Sequence, residues 1–335
     1  MTMNGDAEVK VVPVRHVGRW FGGAVALLFL AMLVHTLFSK VPTGSVRCHV
    51  LNGIRSCHNV MTWRFSWGTV SQYFLNGEIL SGLVKTLELT ILAMVIGVGL
   101  GVVLAIMRIS PSRLLSATAW SYTWFFRGTP VFVQLIFWFN INAVFPNITL
   151  GLPFLPVAFF HISANALFTP FNAAFIGLGL NEAAYFSEIA RSGLISVDEG
   201  QVEAASSLGM RRSQTLRLVI LPQAMRVILP PTGNEVISML KTTSLASAVG
   251  VTELLGASGN IYAQNYEIIP LLIVASLQYL VVTTLLSIGQ YYLERHFGRG
   301  ASRTPPPTPI QRLRQDFFRL RSRALPSHRA PVPSS

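Results

Sequence analysis

Residues 128–181 read GTPVFVQLIFWFNINAVFPNITLGLPFLPVAFFHISANALFTPFNAAFIGLGLN, and not one of these 54 residues is Lys, Arg, Asp or Glu. A soluble core helix rarely exceeds about 20 residues, and a bilayer crossing needs about 20 apolar ones. The stretch is therefore long enough for two crossings. Its Asn, Pro and Gly residues from Asn140 to Pro156 mark the break between them. The expected spans are about Trp124 to Val144 and Pro170 to Ile189. Between them Leu152 to Phe168 is apolar but carries Pro, His and Asn, which suits a re-entrant or interfacial piece.

Working outward, Ile268 to Leu293 is a second charge-free run and reads as the last span. Leu83 to Met107 reads as a span closed by Arg108, Pro111 and Arg113. Within it Gly97 and Gly101 form a small-residue face suited to close helix packing. Val227 to Val251 is a further span, and Phe21 to Phe38 is an N-terminal one. The latter follows basic residues, as a secretory signal does, but it is long for a signal core and lacks a small-x-small cleavage site. The fold class expected is an all-α integral membrane protein of about six transmembrane helices. Only 12% of the 335 residues are charged, about half the share usual in soluble proteins.

The net charge of +12 raises the question of nucleic acid, but the basic residues cluster beside the apolar runs and in the tail. No zinc-finger spacing occurs, so no nucleic acid partner is expected. With six spans both termini share one side. That side, with the loops 108–127 and 190–226, carries 20 of the 26 Lys and Arg residues, which makes it cytoplasmic. Cys48 and Cys57 then face outward, where a disulfide is plausible. With His49 and His58 they also offer four soft ligands, though at no familiar zinc spacing, and no metal site is assigned. The tail 298–335, rich in Pro, Arg and Ser, is expected to be disordered and cytoplasmic.

The cytoplasmic segment holds Glu203-Ala-Ala-Ser-Ser-Leu-Gly209, nine further residues, then Val219-Ile-Leu-Pro222. Ser196 to Asp198 can cap a helix, and Asp198 and Glu199 favour its positive end. Ala204 and Ala205 keep that helix slim enough to seat in a groove. Gly209 can end it in a left-handed turn. A second helix runs through Arg211, Arg212 and Arg217 and is expected to be interrupted at Pro222. Such a hairpin is too short to own a core, so it must lean on a partner.

This pattern resembles the signature loop of permease subunits of ATP-binding-cassette (ABC) importers. Glu203, Ala204, Ala205, Gly209, Leu221 and Pro222 all match, and Val219 stands where Ile is usual. Other stretches resemble the polar amino acid branch of that family, of the His/Glu/Gln/Arg type. Among them are Phe126-Arg-Gly-Thr-Pro-Val-Phe-Val-Gln134, Ala184-Tyr-Phe-Ser-Glu-Ile-Ala-Arg191 and Leu240-Lys-Thr-Thr-Ser-Leu245. The resemblance spans about residues 76–297. It implies a five-helix permease core, to which an extra helix at 20–39 and an outward segment at 40–75 are added behind a cytoplasmic tail at 1–19. It further implies an ABC ATPase dimer docked on the loop, a second permease (identical or a sister), an extracytoplasmic amino-acid-binding protein, and residence in the bacterial cytoplasmic membrane. ATP and magnesium belong on the ATPase, and no cofactor is expected on this chain.

Glu235 and Lys241 lie inside a span, where each charge costs roughly 2.5–3.5 kcal/mol. Six residues apart, they point to different faces of a regular helix. Pro230, Pro231 and Gly233 suggest that this helix is broken, as path-lining helices of transporters often are. Asn234, Glu235, Lys241, Thr242, Thr243 and Ser244 are therefore candidates for the translocation path. Arg127 and Arg191 read as structural anchors. The sequence has no Gly-x-x-x-x-Gly-Lys-Ser/Thr phosphate loop and no hydrolase motif. An intramembrane enzyme is disfavoured for want of paired catalytic residues. A stand-alone ion-coupled transporter or channel is the alternative, but it has no use for the 203–222 hairpin.

Overall fold

The computed structural model describes residues 17–51, 54–63, 65–151 and 158–297. In chain order these form α1 (Val17–Phe38), β1 (Lys40–Leu51), β2 (Ile54–Trp63), α2 (Trp67–Phe74), α3 (Gly77–Ile109), α4 (Arg113–Gly128) and α5 (Val131–Phe139). There follow β3 (Asn147–Gly151), β4 (Ala158–Ser163), α6 (Ala164–Leu167), α7 (Pro170–Ile195), α8 (Glu199–Ser207), α9 (Arg212–Thr215), α10 (Leu221–Thr242), α11 (Leu254–Asn265) and α12 (Ile268–Phe297). The expected tail 298–335 lies outside the described residues, as does the start of the chain before Val17.

Among the described residues two helices, α3 and α12, are both long and apolar enough to cross a bilayer. The helices α7 and α10 have the length of a span, but each carries charges in its middle. The count of six spans is thus not established by length and composition alone. The chain is mostly helical, with one correction to the all-α expectation: two antiparallel hairpins, β1–β2 and β3–β4. The second occupies ground expected to be re-entrant, with β3 and β4 paired from Asn147 opposite Ser163 to Leu150 opposite Phe160. The first places Cys48 opposite Cys57 in its register; the side chains of 41–64 lie outside the described residues.

Helix α3 starts at Asn76, whose side chain accepts a bond from the Glu78 N–H at 2.8 Å, and stops before Pro111. It crosses α7 with almost nothing between the backbones. A Cβ on Gly97 would collide with the Glu182 side chain, one on Gly101 would meet the Ala183 carbonyl at 3.0 Å, and one on Gly179 would meet Ile96 Cβ at 2.8 Å. The small-residue face is therefore a contact with α7. Leu89, Leu135, Leu178 and Met239 fill the core where α3, α5, α7 and α10 meet. A second cluster around Ile79, Leu254, Leu271 and Val274 joins α3, α11 and α12. Among the described side chains, helix α1 meets the rest near its C-terminal end, where Phe38 stacks on Trp67 at 5.2 Å.

Three helix boundaries differ from expectation. Residues 108–127 are not a loop: Arg113 and Arg127 are the two ends of α4. The chain turns at Thr129 and restarts as α5 after Pro130, a residue that suits a helix start because its missing N–H would be unpaired there anyway. The expected span Trp124 to Val144 is therefore split. Pro222 does not interrupt the second hairpin helix. A five-residue π-helical turn, Leu216–Ile220, precedes it, with the Leu221 N–H donating to the Leu216 carbonyl. Helix α10 then runs unbroken through Pro230 and Pro231. Side chains assist the weakened stretch: Thr232 Oγ1 donates to the Ile228 carbonyl at 2.7 Å and Gln290 Nε2 to that of Pro230 at 3.2 Å. The true break comes later, where Thr243–Val249 tightens into a 3₁₀-helix and ends at Gly250 with φ +88°.

Candidate functional site

The hairpin folds as its local chemistry dictates. Asp198 caps α8 by accepting from the Gly200 N–H at 2.8 Å. Gly209 takes φ +72°, the left-handed region that glycine enters at least cost, and reverses the chain. Gln214 Oε1 accepts from the Arg211 N–H at 2.9 Å and starts α9. Ala205 is buried within the hairpin, whereas Glu203, Ala204, Gly209, Leu221 and Pro222 are exposed and Val219 is half-buried. Leu208 at the turn is 82% exposed, and Leu216 and Leu218 also face outward. An apolar crest on a hairpin with almost no core of its own is a surface prepared for contact.

The second region is a cavity of about 520 Å³ between the end of α4, the start of α5, the middle of α7 and the C-terminal third of α10. Glu235 and Thr242 line it, together with Arg127, Asn181, Glu182 and Ser238. The other residues expected on the path lie elsewhere. Asn234 is exposed, and its side-chain oxygen accepts from Gln290 Nε2 at 3.1 Å. Lys241 is exposed and does not line the cavity; it follows Glu235 by six positions on a helix that proved continuous. Thr243 is buried and donates to the Leu240 carbonyl at 2.8 Å. Ser244 returns its hydroxyl to the Lys241 carbonyl at 2.7 Å. Both hydroxyls are thus spent on the turn that ends α10.

Several cavity residues were not anticipated, Asn181 and Glu182 foremost. Asn181 is held by its amide, which donates to the Phe126 carbonyl at 3.0 Å and to Gln134 Oε1 at 3.1 Å. Gln134 in turn clasps Thr129 Oγ1 at 2.7 Å, so α4, α5 and α7 are pinned together at the cavity wall. Glu182 is 3% exposed and its Oε1 has no hydrogen-bond partner. Arg127, read from sequence as an anchor, lines the cavity and lies over the Tyr185 ring at 5.2 Å. Arg191 pairs with Glu188 at 2.8 Å, and Arg108 approaches the same carboxylate at 3.6 Å. The sequence signal was present: Glu182 and Glu188 both fall within the stretch read as a span, where a charge is costly enough to need a reason.

Away from the cavity, Glu253 is fully buried. It caps α11 through the Leu255 and Gly256 N–H groups at 2.9 and 2.8 Å, and accepts from Tyr279 Oη at 2.9 Å. Thr86 completes the knot by accepting from the Leu254 N–H at 3.1 Å. One carboxylate thereby ties α3, α11 and α12.

The fold is thus a helical bundle with an exposed hairpin and a polar cavity, the architecture of a membrane transport component. Residues 97–299 match the family described as binding-protein-dependent transport system inner membrane component, and the chain belongs to that family. Its members are transport components rather than enzymes, and the stand-alone alternative falls with that membership. The chain is 43% identical over 298 residues to the arginine transport system permease protein ArgU of Corynebacterium glutamicum, covering 88% of this chain and 85% of that one. It is 39% identical to the L-cystine transport system permease protein TcyB of Bacillus subtilis, over 70% of this chain and 92% of that one. Among solved structures it is similar to an amino acid ABC transporter crystallised with histidines. The identity there is 35%, the TM-score is 0.58, and 68% of this chain and 98% of that chain are covered.

Proposed function

We propose that the chain is the permease of an ATP-driven importer for amino acids with a cationic side chain, and that the cavity between α4, α5, α7 and α10 is part of the path. The observation that carries this reading is the unpartnered, buried carboxyl of Glu182 in the same cavity as Glu235. A buried carboxyl without a partner is costly, and a guanidinium or ammonium group supplies what it lacks. Asn181, Ser238 and Thr242 offer hydrogen bonds to the α-amino and α-carboxyl groups of such a solute. The relative named for arginine transport supports the same class.

In this reading α8 and α9 dock on a separate ATPase dimer that holds ATP and magnesium. A second permease, identical or a sister, closes the path, and an extracytoplasmic binding protein delivers the solute. Both termini and the hairpin face the cytoplasm. The test is uptake of labelled arginine, lysine and glutamine by proteoliposomes holding this permease with its partner ATPase and binding protein. ATP-dependent uptake of arginine or lysine is expected, and a Glu182→Gln variant should lose at least about tenfold, as the loss of a charge-assisted bond implies. Uptake of glutamine alone overturns the cationic assignment. Undiminished arginine uptake by Glu182→Gln removes the cavity from the path.

A further inference from the structure

A second groove of about 410 Å³ lies on the hairpin side of the cavity, and Arg127, Gly128 and Tyr185 belong to the walls of both. Along α7 the side chains of Glu182, Tyr185 and Glu188 follow at three-residue steps, about 4.5 Å of rise each. The two carboxyl groups are in opposite conditions. Glu188 is held by Arg191 and Arg108. Glu182, one step into the cavity, has an oxygen with no partner. Between them the Arg127 guanidinium rests over Tyr185, while Arg108 and Arg191 are the cations that reach Glu188. Arg127 is also the only cationic side chain among the residues lining the cavity.

We infer that Arg127 is a tethered counter-cation which competes with the transported cation for Glu182 and Glu235 and so limits how tightly the solute is held. This rests on the cationic reading above and adds the residue that governs release. Parked on the ring, the guanidinium leaves the carboxyl groups open to an entering cation. Swung off the ring, it takes the cation's place at the neck between cavity and groove. A transport path must bind its solute well enough to admit it and weakly enough to let it go. Whatever proton Glu182 carries, replacing Arg127 with a neutral residue makes the site one unit more negative. A unit charge a few ångströms away, at an effective dielectric of about 20, changes binding by about tenfold or more.

The experiment is equilibrium binding of labelled L-arginine and L-glutamine to the permease purified with its ATPase in nanodiscs, together with maximal uptake rates in proteoliposomes. Arg127→Gln is expected to tighten arginine binding by about tenfold or more, to change glutamine binding by less than about threefold, and to slow turnover. Arg127→Lys, which keeps the charge but not the flat stacking surface, should not tighten arginine binding, and any change should be toward weaker binding. A residue that merely braces the fold would weaken both ligands when changed. Arginine binding that is unchanged or weaker in Arg127→Gln therefore overturns the inference while leaving the cationic reading intact. Should Arg127→Gln fail to assemble, Tyr185→Leu removes the ring and releases the guanidinium onto the carboxyl groups. Arginine binding should then weaken by about tenfold with glutamine unaffected, and equal losses for both count against the role. Failure of the parent permease to bind arginine refutes the cationic reading itself, and the role of Arg127 with it.

Discussion

Glu182 and Glu253 are both buried carboxyl groups, yet they do opposite things. Glu253 has every neighbour it needs: two backbone N–H groups and the hydroxyl groups of Tyr279 and Thr86 surround it. Removing it as Glu253→Ala strands those donors inside the protein, each at a cost of about 1–3 kcal/mol. A lowered unfolding midpoint in detergent is the expected outcome, whereas Glu253→Gln, which keeps an acceptor, should lose less. Glu182 lacks such company, so Glu182→Gln should leave the unfolding midpoint nearly unchanged while uptake falls. Finding the two effects exchanged between these residues would reverse their assignments. Gly97 belongs at this scale too. Any side chain there meets Glu182, so Gly97→Leu should destabilise the α3–α7 crossing by about 1–3 kcal/mol, as overpacked cores do, and displace the carboxyl as well.

Among the elements, the hairpin of α8 and α9 was the most legible in the sequence, because its signals are local. A capping Asp198, small residues and a turn glycine state their conformations without help from distant contacts. Gly209→Val forces a branched side chain into φ +72°, at about 1–2 kcal/mol. ATPase activity of the assembled importer should lose its stimulation by substrate while the permease still inserts; full stimulation would deny the hairpin its docking role. Breaks were less legible. Pro230 and Pro231 looked like a fracture, but α10 survives them with side-chain donors from Thr232 and from Gln290, which belongs to the distant α12. A non-local partner cannot be read from composition. Arg113 and Arg127 looked like loop residues because a positive charge at a helix end and one in a loop leave the same mark. If the Cys48 and Cys57 segment lies in an oxidising compartment, as the expected topology has it, both thiols should resist alkylation until the protein is reduced; labelling of both without reductant argues against a bridge.

For the molecule as a whole, the charge-free runs announced lipid as solvent, and family membership agrees. The cavity was only half legible. Glu235 and Thr242 were foreseen, because a charge and hydroxyl groups in an apolar run stand out. Asn181 and Glu182 were not, because they sit just where a long uncharged stretch stops, and their importance appears only once α7 packs beside α4 and α10. The orientation is open to direct test. Ser207→Cys, on the exposed face of α8, should react with an impermeant maleimide in inverted vesicles and not in intact cells. Reaction in intact cells would turn the topology over.

The hairpin joins α7 to α10, and this has a mechanical corollary. Glu182 lies 13 residues from the end of α7 at Ile195, and Glu235 lies 14 residues from the start of α10 at Leu221. At 1.5 Å per residue both stand about 20 Å from the joint, like the two tips of a pair of tongs. The arms are not alike: α7 packs closely on α3 at Gly97, Gly101 and Gly179 and on Ile228 of α10 at Gly193, while α10 begins directly after the π-turn. A tilt of about 6° at such a pivot moves a tip by about 2 Å over that length. In the proposed reading, a modest push on the handle would be enough to open or shut the grip on a bound cation.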